Sequence, residues 1–181
     1  MLTHVNHLAP GLVGLVMVPA AVLTAILGRI GGKLADVKGN AFLFYMASTM
    51  FFTCFVLLSS FAGTSPIIIA IFLTFGNVGQ AFIFIALTNG ISRTLPKEES
   101  GVGMGLLSML NFISGAVFAT IYSTMVNQGA NSNWNPANVY PDAFIYSNIY
   151  LVLAILIVSI SLLYYFQFSK AIRKTSIFDR R

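Results

Sequence analysis

Charge is scarce in this sequence. Ten Lys or Arg and five Asp or Glu among 181 residues make 8% charged, roughly a third of the usual share for a soluble domain. So few charges cannot cover the surface of a water-soluble globule of this size. Disorder is excluded too, because 57% of the residues are hydrophobic. Cysteine is nearly absent: Cys54 stands alone, forms no intramolecular disulfide and reads as a small buried apolar residue. Histidine is confined to His4 and His7, with neither Cys nor carboxylate beside them, so no metal site is expected. There is no glycine–lysine phosphate loop, which removes support for ATP-driven work. No apolar run holds paired carboxylates, a His cluster or a Ser–His arrangement, so an enzyme is not expected.

Apolar sequence is what the chain has in abundance. Five stretches are long enough to cross a bilayer, at about 8–27, 41–61, 66–91, 102–126 and 145–168, and none contains Asp, Glu, Lys or Arg. Runs such as Pro66-Ile-Ile-Ile-Ala-Ile-Phe-Leu lack the alternation of a barrel strand. The expected fold is all-α integral membrane: one domain over residues 1–181, with a basic tail at 169–181. The lipid bilayer is its solvent.

The basic residues fall in three groups. Arg29, Lys33 and Lys38 separate the first two spans, Arg93 and Lys97 the third and fourth, and five more follow the last span. Five crossings place all ten on one side. The other side holds residues 1–7, the Ala62–Ser65 turn and the Asn127–Phe144 loop, with no Lys or Arg. The positive-inside rule then puts the N-terminus outside and the C-terminus in the cytoplasm. The net charge of +5 is thereby a topology signal and not a nucleic-acid footprint. Met1–His7 lacks the features of a secretory signal, and the chain reads as the end of something longer. Trp134, Tyr140, Tyr146 and Tyr150 are expected in the aromatic belt of the outer interface, and the Asn127–Asp142 loop as a lid-like connection.

The first basic turn, Gly28-Arg-Ile-Gly-Gly-Lys-Leu-Ala-Asp-Val-Lys-Gly39, is the most specific feature. Its glycines permit close helix ends and positive φ. Asp36 can favour a helix N-terminus or pair with a nearby base, and Arg29, Lys33 and Lys38 can meet lipid phosphates. Taken alone, the turn also fits a plain tight hairpin with basic anchors. It resembles the G-x-x-x-D-R-x-G-R-R signature between helices 2 and 3 of each half of major facilitator superfamily transporters. Gly32, Asp36 and Gly39 match, while Val37, Asn40 and Ala41 stand where the family has basic residues.

Two further stretches, Gly11-Leu-Val-Gly-Leu-Val-Met-Val-Pro-Ala and Leu95-Pro-Lys-Glu-Glu-Ser-Gly-Val-Gly-Met-Gly, resemble core helices of the drug–proton antiporters. The pattern is similar to the 14-helix branch that includes tetracycline and multidrug exporters of Gram-positive bacteria. That resemblance implies an incomplete C-terminal half of the fold, placed in a bacterial cell membrane and inactive alone. It also implies a drug-like substrate and a missing N-terminal half or partner chain.

By the same resemblance the first, third and fourth spans line a cavity, and the second and fifth face lipid. Independently, Asn77, Gln80, Phe84 and Thr88 share one helical face of the third span. The fourth span carries Gly101, Gly105, Ser108, Gly115 and Ala119 along one face, flanked by Asn111 and Ser114. Gly101, Gly105 and Gly115 are expected to serve helix packing. Gln80 and Asn111 suit either interhelical hydrogen bonds or a substrate path, with Asn77, Ser114 and Phe84 as further path candidates. Phe82, Phe84 and Phe112 offer an aromatic wall. The spans contain no Asp, Glu or His to carry a proton; no cofactor is expected, and coupling groups would come from the missing N-terminal part. The alternative reading is a stand-alone structural or regulatory membrane protein that assembles with a partner.

Overall fold

The structure, a computed structural model, describes residues 2–3, 5–6, 8–129 and 134–178. His4, His7, Arg180 and Arg181 lie outside the described residues. Five helices follow one another: α1 (Pro10–Lys38), α2 (Asn40–Ser60), α3 (Pro66–Thr94), α4 (Lys97–Gln128) and α5 (Phe144–Phe178), the last preceded by a 3-10 turn at Pro141–Ala143. All five are long and apolar enough to cross a membrane. Four of the expected spans are shorter than their helices at one or both ends, because apolar runs mark where lipid ends and helices continue past it.

The difference is greatest at the basic turn. Gly28–Lys38 is not a loop but the last turns of α1, and Gly39 alone separates α1 from α2. Gly39 has φ 86°, a left-handed value that a side chain would strain. Pro10 and Pro66 sit in the first turns of α1 and α3, where no amide hydrogen is needed. Glu98 and Glu99 occupy the first turn of α4, facing the positive end of its dipole.

Short turns force α1 to α4 to alternate in direction, giving the bundle a basic end and a loop end. α3 is the hub, packed by α1 on one side and α2 on another, with α5 behind α2. The core of these contacts is Ala35, Leu43, Ala47, Val78, Phe82 and Ala86. Close approach is set by glycines. A Cβ at Gly31 would meet the Phe82 ring at 2.6 Å, and one at Gly79 would stand 3.1 Å from the Ala47 carbonyl oxygen. Without a hydrophobic force between helices in lipid, such backbone proximity is the main source of cohesion.

α4 stands apart. None of its residues is buried, and it touches α3 and α5 only lightly. Its close approach to α3 is at Gly103, where a Cβ would fall 2.9 Å from Ile91 Cγ2 and against the Leu95 side chain. Gly101, Gly105 and Gly115 have open space around them within this chain. The three glycines expected to pack therefore make no close helix contact within this chain.

Candidate functional site

A cleft of about 480 Å³ lies between α1, α3 and α4. α3 contributes Asn77, Gln80 and Phe84, about one turn apart along one face. α4 contributes Asn111 and Ser114, and α1 contributes Thr24. The wall between these groups is aliphatic, from Ile83, Leu87, Leu107 and Leu110. Thr24, Gln80 and Asn111 each lie at or next to the midpoint of their helix.

The polar groups differ in how they are held. Thr24 donates its hydroxyl hydrogen to Ala20 O at 2.7 Å. Asn77 donates from Nδ2 to Leu73 O at 2.9 Å. Gln80 and Asn111 have no tie of this kind among the described residues, and both are exposed. Two untied amides on facing helices, at mid-depth and among aliphatic side chains, can orient a small molecule through its donors and acceptors while the walls hold its apolar body.

The structure brings together the five substrate-path candidates, Asn77, Gln80, Phe84, Asn111 and Ser114, around this one cleft. It does not bring in the rest of the expected aromatic wall. Phe82 turns away and is buried against Gly31 in the α1–α2–α3 core, 3% exposed, and Phe112 is 77% exposed off the cleft. Thr88 donates to Ile85 O at 3.0 Å on its own helix and is not a lining residue. Thr24 was missed by the sequence reading, although it is the one hydroxyl of the first span. α2 and α5 supply no lining group.

At the basic end, Asp36 is exposed and lies 3.5 Å from Arg93 of α3. Arg29 and Lys33 are exposed one turn apart on α1, and Lys38 sits 4.6 Å over the Phe42 ring. Gly28 and Gly32 have open space around them, so the tight contact of this region belongs to Gly31. At the loop end, Trp134 is exposed, but Tyr146 is buried at 4% and belongs to an internal cluster instead of an outward belt. Among the described residues no group of His, Cys, Asp or Glu has the arrangement to hold a metal.

Residues 2–119 match the family model of the Major Facilitator Superfamily, covering α1, α2, α3 and much of α4. No solved structure matches the chain.

Proposed function

This chain belongs to the Major Facilitator Superfamily of membrane transporters, and we propose that it is the C-terminal portion of a secondary transporter that exports drug-like molecules in exchange for protons. The observation that carries this reading is the cleft, where Thr24, Gln80 and Asn111 converge at mid-helix from α1, α3 and α4. Its volume falls in the range of small-molecule sites, roughly 300–1,000 Å³. A midplane site between helices of different repeats is where secondary transporters hold their cargo. Aliphatic walls with few polar groups suit a largely apolar, drug-sized substrate.

The exposed surface of α4, with Gly101, Gly105 and Gly115 on it, is where the remaining helices of the transporter would pack. Coupling groups would come from those remaining helices, in the N-terminal part. The acids among the described residues, Asp36, Glu98, Glu99 and Asp142, all sit at helix ends or in the loop, too far from mid-depth to exchange a proton with the cleft. The basic end would face the cytoplasm of a bacterial cell, as the charge asymmetry favours.

Efflux measured in cells tests the proposal. The chain expressed alone should leave drug accumulation unchanged, and the chain joined to a matching N-terminal half should lower it. Proton-dependent efflux by the chain alone would contradict the portion reading, and no efflux by the joined protein would contradict the drug reading.

A further inference from the structure

The loop end of the bundle is covered by two chain segments. The first precedes α1: Leu2 is buried beside Cys54, Leu58 and Ile69, and Asn6 Nδ2 donates to Thr64 O at 2.7 Å. The second is the connection between α4 and α5. Its Tyr140 lies over Gly63 so closely that a Cβ there would meet Tyr140 Cβ at 2.6 Å, and the Val139 amide donates to Ser60 O at 3.1 Å. Ala62, Ala143 and Tyr146 are buried where the two segments meet.

A buried side-chain amide ties the second segment to two helices at once. Asn135, 2% exposed, donates from Nδ2 to Ser59 Oγ of α2 and to Ser147 Oγ of α5, each at 2.7 Å. Its Oδ1 accepts from the Ala137 amide at 3.0 Å. Ser59 Oγ in turn donates to Ser147 O at 3.0 Å, and Ser147 Oγ donates to Ser59 O. Each hydroxyl thus donates one bond and accepts one, closing a buried ring. A satisfied buried network is rigid, and removing one member leaves the others short of partners.

We infer that Asn135 is the latch of a cap: it straps the α4–α5 connection across α2 and α5 and so keeps shut the Ala62–Ala143–Tyr146 cluster, which adjoins the core around Cys54 through Tyr150. The fastener is a polar ring centred on one side chain, while the apolar cluster beside it supplies the seal. α4 contributes no member to the hydrogen-bonded ring. Its last turn ends at Gly129, φ 72°, and none of its residues is buried. The latch therefore holds α2 and α5 as one body, and Tyr122 and Val126 of α4 reach the cap only through the apolar cluster of Ala62, Ala143 and Tyr146.

The only cysteine of the chain reports on the cap directly. Cys54 is 2% exposed, little more than one turn below Ser59 on α2. With the full chain in membranes, labelling of Cys54 by N-ethylmaleimide is followed by peptide mass. Asn135→Ala, and Asn135→Asp with the same shape but no amide donor, should each speed that labelling by about tenfold or more as the cap opens. Adding Ser60→Cys and Val139→Cys to Asn135→Ala, oxidised to a disulfide before labelling, should return Cys54 to its original protection. Unchanged labelling in both Asn135 variants would overturn the inference. So would fast labelling that persists with the disulfide closed, since that would mean general loosening and not the release of a strap.

Discussion

Arg93 Nη2 lies 3.5 Å from Asp36 Oδ1, joining the basic ends of α1 and α3 through two exposed side chains. Nothing desolvates the pair, so its share of stability is small, up to about 1 kcal/mol. Its interest lies in position, since Asp36 is the acidic member of the turn motif and Arg93 closes α3. Asp36→Asn should leave thermal unfolding in detergent almost unchanged. If the turn takes part in switching, the same change in the joined transporter should lower transport while yield and folding persist. Full transport by Asp36→Asn would reduce the contact to a surface pair.

Glycine substitutions should sort by neighbour. A methyl at Gly31 would overlap the Phe82 ring, and one at Gly79 would press on the Ala47 backbone. Gly31→Ala and Gly79→Ala should therefore destabilise the isolated chain by about 1–3 kcal/mol. Gly105→Ala and Gly115→Ala meet nothing in this chain and should be neutral, within about 0.5 kcal/mol. Thermal unfolding in detergent separates the two groups. In the joined transporter, Gly105→Leu and Gly115→Leu should impair assembly if α4 packs there against the remaining helices.

Much of the fold was legible because lipid imposes length. A run free of charge must cross or be buried, and Ala62–Ser65 and Gly39 mark turns by composition. Helix ends were less legible: Arg29, Lys33 and Leu34 favour helix as well as any residue, so charge marks the edge of lipid and not of α1. The cleft face of α3 followed from helical spacing, which also could have excluded Phe82, two residues and about 200° around the helix from Phe84. Packing glycines were not legible in the same way. A small residue permits an approach without naming its neighbour, and Gly31 and Gly79 look no different in sequence from Gly101 and Gly115. The latch at Asn135 was hidden in an Asn- and Pro-rich loop with no periodicity, since only the fold brings it to Ser59 and Ser147.

Orientation gives a further prediction. All ten basic residues belong to one side by the crossing count, so a phosphatase that works only outside the cytoplasm should be inactive when fused after Arg181. Fused within the loop after Gln128, it should be active. The reverse pattern would show that the charge asymmetry had been read with the wrong sign.

Gln80 and Asn111 provide the most direct measurement. In the chain joined to a matching N-terminal half, Gln80→Ala and Asn111→Ala should each change the ranking of drugs exported, with expression and unfolding temperature retained. Loss of one good hydrogen bond to a bound molecule is worth about 1 kcal/mol, a severalfold shift in apparent affinity. Efflux assays over a panel of tetracyclines, quinolones and dyes would read it. A changed ranking in both variants is what a substrate cleft between α1, α3 and α4 predicts; an identical ranking in both would contradict it and leave the two amides as packing groups.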